Sequence, residues 1–209
     1  MEYNVPFIVA DFETGGLSAA KNPAVEIAVI ILDNNCKEIQ RYESLIKPYG
    51  DFVIEQQALQ ANGLTLNEIN GGKELKVVVN ELINLFAPLK KYQKFVKPIL
   101  VGHNIAKFDI KFFKQIFDFC NKDIFEYTDE YLFDTQYHAR FKWGQGNQIE
   151  NFKLGTCCTK VGIELTNAHR AMADTEATAK LLTYFINDSR SIKTNSEVKV
   201  ERFREKFRF

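Results

Sequence analysis

The sequence predicts an α/β fold with a mixed sheet, and three observations carry that prediction. Apolar runs of strand length, separated by turn residues, occupy the first 46 residues. Beyond residue 75 apolar side chains recur at the helical period. Further short apolar runs lie between those helical stretches. With 209 residues, 45% of them hydrophobic and 18 of them Phe, the chain can bury one sizeable core, so a single domain is expected rather than a disordered polymer.

Residues 5 to 13 read as the first strand. Val5, Phe7 and Val9 alternate with Pro6, Ile8 and Ala10, so both faces are largely apolar and the strand is expected to be central and covered. The apolar run 24 to 32 is the second strand, and Asp33-Asn34-Asn35 punctuates a hairpin into a third over about 37 to 46. Leu75, Val78, Val79, Leu82, Leu85, Phe86 and Leu89 then mark a helix that leads into a fourth strand over 99 to 101. Ile110, Phe113, Ile116, Phe117 and Cys120 mark another helix, and 131 to 133 a fifth strand. Ala177, Thr178, Leu181, Leu182, Phe185 and Ile186 mark a long final helix. No internal repeat is visible. After about Asn187 the composition changes, and from Arg190 onward it holds seven basic and three acidic residues interleaved with Phe. This divides the chain into a domain over 1–189 and a basic, aromatic C-terminal tail over 190–209, read either as a solvated tail or as a segment that docks nucleic acid or a protein.

The balance of 27 basic and 27 acidic residues excludes a whole-molecule field that would gather polyanions, so any nucleic-acid binding must be local. No apolar run reaches the length of a membrane span, and the N-terminal residues lack a signal-like pattern, so no membrane association and a cytoplasmic location are expected. Cys36, Cys120, Cys157 and Cys158 show no metal-ligand spacing and read as reduced, partly buried thiols.

Chemistry enters where acids stand in positions that the pattern reserves for apolar side chains. Asp11 and Glu13 continue the Val5, Phe7, Val9 face, so both leave the end of the first strand side by side. Asp109 precedes Phe113, Ile116 and Phe117 by four, seven and eight residues, which places it on the buried stripe of its helix near the N-terminus. Asp174 stands in the same relation to Thr178, Leu181, Leu182 and Phe185. Clustered carboxylates repel one another and raise one another's proton affinity unless cations compensate, and the sequence offers no matching set of buried Lys or Arg. Magnesium or manganese, which take oxygen ligands, would resolve the conflict. Helix capping is the alternative for Asp109 or Asp174 taken singly, but it does not explain the Asp11/Glu13 pair.

At these residues the sequence resembles the DEDDh exonucleases, the DnaQ-like family that includes the proofreading epsilon subunit of DNA polymerase III, RNase T and oligoribonuclease. Three motifs match in order. They are Phe7-Ile8-Val9-Ala10-Asp11-Phe12-Glu13-Thr14-Gly15-Gly16-Leu17 followed by Val25-Glu26-Ile27-Ala28, then Val101-Gly102-His103-Asn104-Ile105-Ala106-Lys107-Phe108-Asp109, then His169-Arg170-Ala171-Met172-Ala173-Asp174-Thr175. The resemblance covers residues 5 to about 187. The tyrosine branch of the family would place Tyr where this chain has Arg170, whereas His169 sits five residues before Asp174, which selects the histidine branch.

The resemblance implies a ribonuclease H-like fold, a mixed five-stranded sheet with helices on both faces. It implies that Asp11, Glu13 and Asp174 hold one divalent ion, that Asp11 reaches a second, and that Asp109 contributes directly or through water. In such sites two ions about 3.5 to 4 Å apart, Mg²⁺ or Mn²⁺, stabilise the attacking and leaving oxygens of a phosphodiester displacement. His169 would take the proton from the attacking water, and the product would be a nucleoside 5′-monophosphate. Family members hold the terminal nucleotide with the segment that here is Thr14, Gly15, Gly16 and Leu17, with Leu17 as a wedge against the last base. His103, Asn104 and Phe108 are candidate phosphate and base contacts, with a core or capping role as the alternative, whereas Asp134 and His138 fall in a segment that resembles a structural part of the family.

The expected substrate is the 3′ end of a single or frayed strand, DNA in preference to RNA, with a DNA polymerase as a candidate partner in proofreading or repair. Two other readings compete: an exoribonuclease, and a silent nucleic-acid-binding module of the same fold. The presence of all five site residues argues against silence.

Overall fold

The computed structural model describes residues 5–92, 97–146, 148–165 and 170–206, in backbone alone for 90–92 and 192–206. The chain opens on strands β1 (Phe7–Thr14), β2 (Ala24–Leu32) and β3 (Glu38–Leu45), which pair antiparallel in sequence order. Strands β4 (Ile99–Gly102) and β5 (Phe133–Asp134) add parallel on the other side, giving the order β3-β2-β1-β4-β5. A short turn suffices for the antiparallel hairpin, whereas each parallel addition needs a crossover, and the helical stretches supply it.

Helices lie on both faces of this sheet. Helices α3 (Leu75–Phe86) and α4 (Asp109–Phe119) pack Val78, Leu82, Phe113 and Ile116 against Ile8, Ala10, Phe12, Val29 and Ile31. On the opposite face Phe7, Val9, Ile30, Leu32 and Val101 meet Ala179 and Leu182 of α7 (Ala171–Lys206). Helices α5 (Thr135–Trp143) and α6 (Leu154–Lys160) extend that layer through Ala139, Trp143, Cys157, Leu181 and Phe185. All nine residues of β2 are buried because both of its faces are covered. The edge strand β3 is largely exposed and carries Glu38, Arg41 and Glu43, charges that discourage pairing with another chain.

Several boundaries differ from those read in the sequence, each for a local reason. Helix α3 ends at Phe86 and continues as 3₁₀ turns over Ala87–Tyr92, since Pro88 has no N–H and its ring obstructs the preceding turn. The fifth strand does not begin at 131: the Asp129 carboxylate accepts from the Tyr131 N–H in a turn, and pairing starts at Phe133. Helices α1 (Gln56–Asn62) and α2 (Leu66–Asn70) were not expected because runs of seven and five residues are too short to display a period. Helix α7 starts six residues before Ala177 and extends to Lys206, so the boundary expected at 189/190 falls within it. Cys157 and Cys158 are buried, Cys36 and Cys120 partly so, and all four are free thiols. Among the described residues no helix is long and apolar enough to cross a membrane.

Candidate active site

The parallel strands β1 and β4 and the start of α7 converge at one end of the sheet, and there the acids meet. Asp11 and Glu13 share the β1 face that carries Phe7 and Val9, so they continue the α7 side of the core out to its rim. Asp174 lies in the first turn of α7. Carboxylate oxygens of Asp11, Glu13 and Asp174 come within 4.8 Å of one another. Asp109, the first residue of α4, is 3% exposed and close enough to act electrostatically on Asp11 and Glu13.

Their electrostatics record the crowding. Burial, then the charges of Asp109, Glu13 and Asp174, hold Asp11 well above the ordinary carboxylate range. Burial and the charges of Asp174 and Glu26 push Glu13 up to about 8. Burial raises Asp109 to about 7, although hydrogen bonds from its own backbone and that of Phe12 pull the other way. Three hard oxygen donors held together against their mutual repulsion are a donor set suited to a divalent cation of the magnesium type.

The segment after β1 is pinned by its own backbone. Thr14 is buried and its hydroxyl donates to the Gly16 carbonyl at 2.7 Å, while Gly15 N–H donates to Pro23 O at 2.8 Å. A Cβ on Gly15 would lie 2.8 Å from Pro23 Cδ, which is why this position excludes a side chain. Leu17, one residue past the buried glycines, is 86% exposed. The following helix contributes Asn62, whose amide donates to the Thr14 carbonyl at 3.0 Å.

The second motif is held from β5. The Asp134 carboxylate caps α5 by accepting from the Gln136 and Tyr137 N–H groups, and it also accepts from the Asn104 N–H at 3.0 Å and the Ala106 N–H at 3.1 Å. Asn104 takes a left-handed backbone with φ of 70°, a conformation that Asn tolerates well. Phe108 is half-buried, its ring 5.1 Å from that of Phe112. Of the two roles open to His103, the fold favours the one within the protein. Its Nδ1 lies 3.0 Å from the Thr135 hydroxyl and its Nε2 2.8 Å from the Phe152 carbonyl, and burial disfavours its protonated form. Both ring nitrogens are thus engaged within the protein, and His103 ties β4 to α5 and to the 152 segment.

His169 lies outside the described residues. Its neighbour Arg170 is described: Arg170 Nη2 donates to Glu26 Oε1 at 2.6 Å, and the Ala171 N–H donates to Glu26 Oε2 at 3.2 Å. Glu26 is fully buried and stands directly opposite Glu13 in the β1/β2 register. It clasps the start of α7 to the sheet and thereby fixes Asp174 relative to Asp11 and Glu13. Sequence reasoning assigned Glu26 no role, although a lone acid inside a wholly apolar strand is itself a signal of a buried polar partner.

The family model described as exonuclease, RNase T, matches residues 8–182. A PolC-type DNA polymerase III of Oceanobacillus iheyensis is 32% identical over 181 residues, which cover 86% of this chain and 11% of that protein. A ribonuclease T of Shewanella oneidensis is 30% identical over 190 residues, covering 86% of this chain and 81% of that protein. The chain thus spans a small fraction of PolC-type polymerases and most of ribonuclease T. Among solved structures, E. coli exonuclease I in complex with a dT13 oligonucleotide superposes with a TM-score of 0.72 at 24% identity, over 86% of this chain and 40% of that one, which matches the ribonuclease H-like fold.

Proposed function

Because the chain belongs to the DEDDh-type 3′–5′ exonuclease family, we propose that it hydrolyses phosphodiester bonds at the 3′ end of a DNA strand and releases nucleoside 5′-monophosphates. The observation that carries this reading is the convergence of Asp11, Glu13 and Asp174 to within 4.8 Å, from a strand and a helix far apart in sequence.

Asp11, Glu13 and Asp174 would hold a magnesium or manganese ion, with Asp11 and Asp109 the carboxylates available to a second. When bound, such cations neutralise charge on a phosphodiester under attack and favour ionisation of water near neutral pH. The protein's own groups do the rest. His169, by its place in the third motif, accepts the proton of the attacking water. The new P–O bond forms on the terminal nucleotide's phosphate, and the bond to the 3′-oxygen of the shortened strand breaks. Leu17 abuts the terminal base and Phe108 flanks it, while the backbone of Thr14, Gly15 and Gly16 leaves room for the sugar. Asn104 contributes a contact from the second motif, and His103 acts on substrate only by holding that segment.

DNA is preferred on the strength of the PolC-type likeness, which also supports a DNA polymerase as partner and a frayed 3′ end as substrate. An RNA substrate is the second reading, favoured by the match to ribonuclease T over most of that protein's length. Rates on matched single strands of DNA and RNA, with Asp11→Asn as the control, decide between them. Faster hydrolysis of DNA, abolished in Asp11→Asn, is expected. Faster hydrolysis of RNA selects the second reading, and undiminished cleavage by Asp11→Asn removes the site from either.

A further inference from the structure

Helix α5 turns its buried side, Thr135, Ala139 and Trp143, to the core. Its outer side is unusual for a solvated helix. Tyr137 is 42% exposed and Phe141 87% exposed, and with Arg140 between them they form one contiguous stripe. The helix carries no acidic residue, so the stripe presents two aromatic rings and a guanidinium with no acid on its own helix to offset the charge. Two large exposed aromatics one turn apart are hard to explain by the fold, because neither contributes to a core cluster.

Two links run from the stripe toward the acids, one at its N-terminal end and one on its flank. At the N-terminal end the capping carboxylate of Asp134 holds the loop of the second motif, and Lys107 from that loop places its ammonium 5.6 Å from the centre of the Tyr137 ring. On its flank the Arg140 guanidinium lies 4.7 Å over the Phe152 ring. Phe152 is followed by Lys153, which lines a cleft of about 750 Å³ together with Leu154, Thr156 and Lys160, and that cleft reaches Asp174. Rings that any base can stack on, interleaved with basic side chains that track phosphates, are what sequence-independent recognition of a single strand requires.

We propose that Tyr137, Arg140 and Phe141 of α5, with Lys107, form a stacking platform for a single-stranded stretch of substrate beyond the nucleotides held at the carboxylates. The proposal rests on the reading that those carboxylates process a nucleic-acid 3′ end. Tyr137 and Phe141 lie about 6 Å apart along the helix axis, a spacing that lets each ring take a separate base. The platform makes affinity depend on strand length, so a long strand stays bound where a very short one is released.

Fluorescence anisotropy tests this with labelled oligothymidylates of about 4 and about 16 nucleotides, the range of lengths that such single-strand sites span. The full chain is used in EDTA with Asp11→Asn in every protein, so that no strand is cut. The Tyr137→Ala, Phe141→Ala double variant is expected to bind the longer strand about 10-fold more weakly and the shorter one as the parent does. The Tyr137→Phe, Phe141→Tyr pair should retain the parent affinity, a rescue that general loss of fold would not permit. Arg140→Ala should lower the slope of log affinity against log salt by about one unit. Equal losses at both lengths, or no loss at either, would overturn the proposal. So would unchanged strand binding accompanied by a change in molar mass by light scattering, which would make the stripe a protein contact. The reading on which the proposal rests is judged separately, by whether the protein with native Asp11 cuts and Asp11→Asn does not.

Discussion

Glu13 shows how much free energy the folded chain stores in its acids. Its carboxyl is pushed from 4.5 up to about 8, by burial first and by the charges of Asp174 and Glu26 next. Below pH 4.5 both folded and unfolded chains are protonated at this position, and the preference for the proton favours the fold in full. Between 4.5 and about 8 the unfolded chain ionises while the folded one resists, so this contribution is lost as pH rises. The contribution is on the order of 1–3 kcal/mol, or ~2–4 °C of melting temperature per kcal/mol for a chain of this size. Metal-free protein is therefore expected to melt lower at pH 8 than at pH 5 by more than Glu13→Gln does, and magnesium should narrow that gap. A melting temperature that falls equally in the variant would show that Glu13 carries no such strain. The acids themselves were legible in the sequence, because a charged residue on a period reserved for apolar ones stands out. The roles of Glu26 and Asn62 were not, and Asp134 was read only as part of a structural segment, since each acts through backbone N–H or carbonyl groups that only the folded chain brings within reach.

Element by element, legibility followed length and two-sided burial. Strand β2 lies where its apolar run, broken only by Glu26, predicts, from Ala24 to Leu32, and α3 and α4 begin within a residue of the first predicted apolar position. Helix α5 was missed because its exposed face is aromatic and basic, which blurs the contrast between its two sides. Helix α7 matters most to the site, since its first turn carries Asp174, and the Glu26 clasp sets where that turn begins. The two partners are unequal: the Glu26 side chain is 1% exposed and the Arg170 side chain 46%. Removing Arg170 leaves a buried carboxylate facing Glu13 without its cation, whereas Glu26→Gln keeps an acceptor for the Ala171 N–H and removes a like charge from the acids. Arg170→Ala is thus expected to cost about 3–5 kcal/mol, the range for an orphaned buried charge, and Glu26→Gln distinctly less. Chemical denaturation of both variants checks the order, and a larger loss in Glu26→Gln would contradict the clasp.

At the scale of the whole molecule, equal numbers of acidic and basic residues leave no net field, so under the proposed function a strand would be captured by local features around the rim of the sheet. The same end of the sheet carries Leu17 after β1, the acids in the centre and the α5 stripe beyond β5. Such placement follows from topology: β1, β4 and β5 run parallel, so the residues that follow them gather at one edge. The sequence motifs named Leu17 and the acids of that edge but not the α5 stripe, and their grouping depends on strand order, which no local pattern encodes. The central claim is that this edge is a metal-dependent exonuclease site acting from the 3′ end. Its most direct test is the cleavage pattern of a single-stranded oligonucleotide labelled at its 5′ end, with magnesium and with EDTA. A ladder of labelled strands shortening one nucleotide at a time, with nucleoside 5′-monophosphates released and no cleavage in EDTA, is the predicted result. Release of the label as a mononucleotide at the outset, or a ladder undiminished in EDTA, would contradict it.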